Sequence, residues 1–153
     1  MCHFDLPRDE HAGYVNNSRD KFAFRFDGVI GPDAKQDEVF TRCAERPVLG
    51  ALDGFNGTVF AYGQTGSGKT FTITGGAERY VDRGIIPRAI SRLYSEISKR
   101  ADARYSVHVS YVEVYNNQAY DLLDPDHETK ALEDLPKVTL QEDEEGNKQP
   151  EEE

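Results

Sequence analysis

The stretch Gly63-Gln64-Thr65-Gly66-Ser67-Gly68-Lys69-Thr70 decides how the rest of the sequence is interpreted. It fits a phosphate-binding loop, in which two glycines five positions apart are followed by Lys and then by Ser or Thr. Its glycines allow the backbone to turn so that successive N–H groups point at a polyphosphate. Lys69 would reach the β- and γ-phosphates, and the Thr70 hydroxyl would bind Mg²⁺. The alternative is a Gly/Ser-rich turn without a ligand, but such a turn has no need of Lys-Thr after its last glycine.

The segments beside this loop predict a helix, then a strand that leads into the loop, and then a second helix that follows the loop. Residues 57–62 are short, apolar and β-branched or aromatic, which is typical of a buried strand. A helix is predicted over about 36–52, with an apolar stripe and with Pro47 kinking or splitting it. The helix that starts at the loop should add the positive end of its dipole there and end at Gly75-Gly76. In the helix predicted over about 36–52, the residues of the apolar stripe are expected to face the core: Val39, Phe40, Cys43, Val48 and Leu52.

Farther along, the pattern predicts another helix and two more strands. The helix should begin at Gly84-Ile85, with Pro87 in its first turn and its apolar stripe in the core. Residues 21–27 alternate as a strand does, and residues 105–115 are apolar on both faces, which predicts a covered central strand. A turn is expected at Asn116-Asn117, and a last strand over residues 137–140. This order predicts an α/β sandwich, with the phosphate loop at the carboxyl end of a central strand.

Composition divides the 153 residues into three parts and excludes some partners. Residues 1–20 are expected to be an irregular segment, either a loop or a fraying strand. Residues 21–140 should form the folded part, and residues 141–153 an acidic disordered tail. The net charge is −10, of which −6 lies in the tail, and this argues against nucleic acid as the main partner. No apolar run approaches membrane-spanning length and no signal peptide opens the chain, so we expect a cytosolic protein with reduced thiols and no membrane partner.

Beyond the loop, the sequence resembles the kinesin motor domain over about residues 22–140. The likeness rests on segments that occur in the family's order and spacing: residues 26–40, 56–73, 84–88, 110–116 and 121–123. Within the kinesins, residues 71–80 and 132–139 are similar to family nine, whose members are associated with cilia and flagella. The resemblance implies an incomplete P-loop NTPase sandwich of the kinesin motor type, with helices on both faces of a central sheet.

The resemblance also implies a function, which we state as an expectation. An ATP-driven microtubule motor would use ATP and Mg²⁺ as cofactors, bind tubulin, and work in the cytoplasm on the cytoskeleton, including a cilium or flagellum axoneme. Its nucleotide-binding residues would be Gly63, Gln64, Thr65, Gly66, Ser67, Gly68, Lys69, Thr70 and Phe71, with Thr70 also on the metal. Phe71 falls where kinesins place an aromatic residue or His against adenine; the alternative is an ordinary core Phe. No oligomeric state is implied.

The chain also departs from the family pattern. Residues 1–20 lack an Arg-x-Arg-Pro-like adenine contact, and nothing matches the two switch segments that supply γ-phosphate sensing and water positioning. We therefore assign no catalytic residue and expect little or no hydrolysis by this chain alone. Two other functions stay open: a nucleotide-binding protein without turnover, and a structural ciliary protein derived from a kinesin.

Overall fold

A computed structural model describes residues 1–5, 20–101, 103–142 and 148–150, with side chains up to residue 139. The chain divides into two compact units, Met1–Ala103 and Arg104–Glu153. The first unit contains the phosphate loop and all the α-helices of the described residues. Those helices are α1 (Gln36–Cys43), α2 (Glu45–Leu52), α3 (Lys69–Ile73) and α4 (Ile85–Ile97). None of them is both long enough and apolar enough to span a membrane.

The predicted break in the first helix is confirmed, and proline chemistry explains its position. Ala44, with φ −122° and ψ −27°, separates α1 from α2. Pro47 has no N–H for the Cys43 carbonyl, and its ring would clash with that carbonyl in a continuous helix. As the third residue of α2, however, Pro47 lies in a first turn, where no intrahelical N–H bond is needed. One proline therefore divides the predicted helix into two helices of eight residues each.

The core of this unit is small and lies where α1, α2, α3 and α4 meet. It consists of Phe40, Ala44 and Ile85, with partly buried apolar neighbours around them. The predicted stripe is wrong at Cys43, which is exposed, while Ala44 is fully buried at the break between the helices. The α4 stripe is only partly core, because Ile90 is 41% and Tyr94 56% exposed. The stripe over residues 36–52 assumed one continuous helix, whereas the chain forms two helices that are separated at Ala44.

Residues 57–62 do not form the buried strand that the sequence predicts. They have no strand pairing in the described structure, and Phe60 and Tyr62 are 82% and 95% exposed. A strand requires a hydrogen-bonded neighbour as well as a suitable sequence, and apolar patterning reports only the second requirement. Only Val59 of this segment packs against the core. Among the described residues, no central sheet lies between layers of helices.

The start of the chain contains a short paired strand. Strand β1 (Cys2–Asp5) pairs antiparallel with β2 (Lys21–Phe24), which forms the first part of the predicted strand over residues 21–27. Phe4 and Phe24 meet edge to face with ring centroids 5.8 Å apart. Residues 2–5 therefore form a strand, which is one of the two alternatives that the sequence leaves open for this segment; residues 6–19 lie outside the described part.

The second unit contains a three-stranded antiparallel sheet in the order β3 (Val112–Tyr115), β4 (Gln118–Asp121), β5 (Lys137–Val138). Asn116 and Asn117 connect β3 to β4 with φ values of 50° and 61°, which confirms the predicted turn. The prediction of a covered central strand over residues 105–115 was wrong, because only the last four residues pair. They form an edge strand in which Val114 is 70% exposed. The buried centre is instead β4, with Tyr120 at 4% exposure.

The predicted last strand and the acidic tail are partly described. Lys137 and Val138 form β5, and β6 (Leu140–Glu142) pairs antiparallel with β7 (Lys148–Pro150) in a separate two-stranded sheet. Residues 141–142 and 148–150 are therefore paired strands rather than the disordered chain that their composition predicts. Charge and low apolar content do not report local main-chain pairing. Residues 143–147 and 151–153 lie outside the described residues.

Candidate functional site

The candidate site is the loop from Gly63 to Gly68, which leads directly into α3. Gly66 and Gly68 have φ values of 81° and 88°, a region that residues with a Cβ rarely adopt. The Ser67 N–H donates to the Gln64 carbonyl at 3.2 Å, which closes a tight turn in the middle of the loop. A Cβ on Gly63 would lie 2.5 Å from the Ser67 hydroxyl oxygen. Backbone conformation thus explains Gly66 and Gly68, whereas a side chain at Gly63 would require the Ser67 side chain to move.

Lys69, the first residue of α3, folds its side chain back over this loop. Its Nζ donates to the Gly63 carbonyl at 2.9 Å and to the Gln64 carbonyl at 2.8 Å. An ammonium group has three donors, so one remains for a further acceptor. Within the described residues, the hydrogen bonds of Lys69 go to main-chain oxygens. The structure therefore places a positive charge at the mouth of a glycine-turned loop, which is an arrangement that can hold an anion such as a polyphosphate.

The remaining predicted residues lie around the same loop and helix. Gln64, Thr65 and Ser67 are exposed on the loop, and Thr70 is exposed in the first turn of α3. The Thr70 carbonyl accepts the N–H groups of Thr74 and Gly75, at 2.8 and 3.2 Å. Thr70 follows Lys69 directly in the first turn of α3. The described residues contain no group of three or more His, Cys, Asp or Glu side chains that could form a metal site by themselves.

Phe71 is half exposed at the wall of a cavity of about 610 Å³. An ordinary core Phe would be buried, whereas 49% of this residue is accessible. The other side chains of the wall include Gln36, Arg79 and Asp82, so an aromatic ring and polar groups surround the same space. This setting can receive a planar ring against Phe71. Phe71 and Lys69 both belong to α3, two positions apart, so this cavity wall and the glycine-turned loop are adjacent along the chain.

Gln36 is a residue of this region that sequence reasoning did not select. It is buried, at 8% exposure, and its side-chain amide nitrogen donates to the Phe71 carbonyl at 2.6 Å and to the Asp82 carbonyl at 3.2 Å. A signal was present in the sequence, since Gln36 precedes Val39 and Phe40 by three and four positions. It therefore lies on the apolar face of α1, and a polar side chain on such a face requires a hydrogen-bond partner.

The segment from Gly75 to Gly84 closes on itself next to α3. The Gly84 N–H donates to the Thr74 carbonyl at 3.1 Å, and the Gly76 N–H donates to the Asp82 carbonyl at 3.0 Å. Asp82 also accepts the Arg79 guanidinium at 2.6 Å. The backbone is so crowded at the closure that a Cβ on Gly75 would lie 2.3 Å from the Gly84 nitrogen. We call residues 75–84 the glycine-closed loop.

Comparisons with known proteins agree with the sequence resemblance. The family described as "Kinesin motor domain" matches residues 4–149. The chain is 50% identical over 119 residues to "Kinesin-like protein KLP1" of Chlamydomonas reinhardtii, and 46% identical over 118 residues to "Kinesin-like protein KIF9" of Mus musculus. It is 41% identical over 150 residues to "Kinesin-like protein KIF27" of Rattus norvegicus.

These matches cover most of this chain and a small part of each relative. The alignments include 78%, 77% and 96% of the chain, respectively, but only 15%, 15% and 10% of the three relatives. The chain thus spans about a seventh or less of the length of the relatives it matches. The matched part contains the phosphate loop, Gln36 and Phe71.

Proposed function

Since this chain belongs to the kinesin motor-domain family, and is similar to family nine within it, we propose that residues 63–70 bind the phosphates of Mg-ATP or Mg-ADP. The single observation that carries the proposal is the Lys69 ammonium, held 2.8–2.9 Å from two carbonyls of the glycine-turned loop. A phosphate oxygen would take the third donor of that ammonium, and the N–H groups of the loop would surround the anion. The Thr70 hydroxyl would complete the site as a ligand of Mg²⁺.

The wider proposal is that the chain contributes this site to a microtubule motor driven by ATP hydrolysis. Its support is the family match over residues 4–149 and the position of the loop before a helix. The proposal includes the P-loop NTPase sandwich of the kinesin type, in which the apolar residues 57–62 would become a strand of the central sheet. It also includes tubulin as partner and a cytoskeletal location, in a cilium or flagellum where the likeness to family nine applies.

A thermal melt of the chain with and without Mg-ATP tests nucleotide binding. A ligand that binds only the folded state raises its stability by about 2.7 kcal/mol at one hundred times the Kd. For a chain of this size, we expect an increase in Tm of roughly 5–10 °C. Lys69→Ala should abolish the increase while the ligand-free melt stays close to that of the wild type, because within the described part of the chain this side chain bonds to two carbonyls of its own loop.

The matched control is Lys99→Ala, which removes an exposed ammonium that pairs with Glu96. This variant should keep the full increase in Tm. The proposal is contradicted if the wild type melts cooperatively with no increase in Tm, or if Lys99→Ala and Lys69→Ala lose the increase equally.

Phosphate release from the same samples separates turnover from binding. A rate near that of a complete motor would exclude the alternative of a nucleotide-binding protein without turnover.

A further inference from the structure

The buried amide of Gln36 joins three parts of the first unit at one point. Gln36 begins α1, Phe71 lies in α3, and Asp82 lies in the glycine-closed loop; these parts are 35 and 46 residues from Gln36 along the chain. Both hydrogen bonds come from the same nitrogen, which has two donors and uses both. No other amide side chain and no charged side chain is buried within the described residues. A buried amide that uses both its donors holds its acceptors at fixed separations.

The Phe71 carbonyl needs this partner because α3 ends close to it. In a continuing helix it would accept the N–H of Gly75, but that N–H donates to the Thr70 carbonyl at 3.2 Å instead. The last carbonyls of a helix have no partner within the helix, and here Gln36 supplies one at 2.6 Å. The position of the Phe71 backbone therefore depends on α1. Because the backbone carries the ring, the placement of the Phe71 ring depends on α1 as well.

The second acceptor of Gln36 controls the opposite wall of the cavity. The Asp82 carbonyl accepts both the Gly76 N–H, at 3.0 Å, and the Gln36 amide, at 3.2 Å. The Asp82 side chain holds Arg79, and both side chains line the cavity of about 610 Å³ beside Phe71. Gln36 thus fixes the aromatic wall and the polar wall of the same space relative to each other.

We propose that Gln36 is a positioning residue for the base of a bound nucleotide. It holds the Phe71 backbone and the Asp82 backbone in place beside the cavity of about 610 Å³ that would receive a planar base, while residues 63–70 hold the phosphates. The base would pack on the accessible face of Phe71, and Gln36 itself would touch only the two carbonyls. This inference rests on the proposed nucleotide site and adds a determinant of base binding to it.

The test compares a diphosphate ligand that carries a nucleoside with one that does not. Affinities for Mg-ADP and for Mg-pyrophosphate are measured by titration calorimetry on the full chain and on Gln36→Met, which keeps the length of the side chain and removes its donors. We expect the affinity for Mg-ADP to fall about fivefold to tenfold, the effect of losing one or two hydrogen bonds that position the ring. The affinity for Mg-pyrophosphate should stay within about twofold of the wild-type value.

Two further variants make the result specific. Phe71→Ala should remove the preference for Mg-ADP over Mg-pyrophosphate, and adding Gln36→Met to it should then change that preference no further, because both residues act through one ring. Glu38→Gln alters an exposed carboxylate that pairs with Arg42 on α1 and should keep the wild-type preference. Equal losses for both ligands in Gln36→Met would assign it a merely structural role and overturn the inference.

A measurement on the wild type decides the case if Gln36→Met does not fold. The side-chain amide resonances of Gln36 should shift on addition of Mg-ADP and stay in place with Mg-pyrophosphate; equal shifts with both ligands would overturn the inference. Failure of the inference and of the proposed function remain distinguishable. Binding of pyrophosphate with no preference for Mg-ADP removes the role of Gln36 and leaves the phosphate site, whereas binding of neither ligand removes both.

Discussion

Gly84 shows how a single hydrogen in place of a side chain sets the geometry beside the candidate site. A Cβ at this position would lie 2.5 Å from the Ile73 carbonyl oxygen and 2.7 Å from the Gly75 nitrogen. Both atoms belong to the backbone, so neither can turn away as the end of a flexible side chain would. The closure of the glycine-closed loop against the end of α3 therefore depends on the absence of a side chain at Gly84.

We predict that Gly84→Ala destabilises the first unit by about 1–3 kcal/mol, the usual cost when an added group forces the backbone to shift. Urea denaturation followed by circular dichroism measures the loss. The control is Gly31→Ala, because a Cβ at Gly31 meets no atom within 4 Å and the backbone there is not left-handed. Equal stability of the two variants would show that the close crossing at Gly84 does not exist in solution.

Gln36 and Cys43 show at the same scale where sequence reasoning succeeds and fails. Both lie on the face of α1 that the apolar stripe defines, but Gln36 is buried and Cys43 is exposed. The period of a helix predicts which residues share a face, but not which part of that face is covered. Coverage depends on α3, α4 and the glycine-closed loop, which come from distant parts of the sequence.

At the scale of elements, the hairpin of β3 and β4 is defined by its two-residue connection. Both connecting residues, Asn116 and Asn117, have positive φ, as a type I′ turn requires. Asparagine tolerates this region better than most residues, and glycine tolerates it without strain. Two consecutive asparagines between apolar segments were thus a usable signal for β4, which the sequence analysis did not predict.

We predict that Asn117→Val weakens this hairpin by about 1–2 kcal/mol, because a β-branched residue is strained at positive φ. Amide hydrogen exchange at Tyr120, in the buried centre of the sheet, reports the change as faster exchange. Asn117→Gly is the matched variant, and it should maintain or increase the protection of the same amide. Faster exchange in Asn117→Gly than in Asn117→Val would contradict the turn geometry.

For the whole molecule, the exposure of residues 57–62 is the largest difference from the predicted fold. Phe60 is 82% exposed although its sequence context is that of a buried strand. Apolar residues can only be buried by neighbours, and in the described residues of the first unit the small core reaches only Val59 of this segment. The α/β sandwich therefore remains a proposal, while the described residues bury a smaller set of side chains.

We predict that Phe60→Ala changes the free energy of unfolding by no more than about 0.5 kcal/mol, because the ring is exposed. Phe40→Ala, in the core at 7% exposure, should cost about 3–5 kcal/mol. Denaturant melts of both variants measure the difference. A loss for Phe60→Ala as large as that for Phe40→Ala would mean that residues 57–62 are buried, as a strand of the central sheet would be.

The sequence by itself determined the kinesin family, the glycine-turned loop of residues 63–68 and several other local features of the chain. The glycines of the loop, the break caused by Pro47, the start of α4 at Gly84-Ile85 and the Asn116-Asn117 turn are all present in the structure. These features depend on the backbone preferences of neighbouring residues, and such preferences are contained within a few positions of sequence.

Only the tertiary structure decided which residues are buried and which strands pair. It buried Ala44 instead of Cys43, paired β1 with β2, placed β4 at the centre of its sheet, and brought Gln36 to Phe71 and Asp82. Each of these outcomes requires a partner from elsewhere in the chain. A pattern within one segment reports its capacity to be buried or paired, whereas the partner that covers or bonds it exists only after the chain has folded.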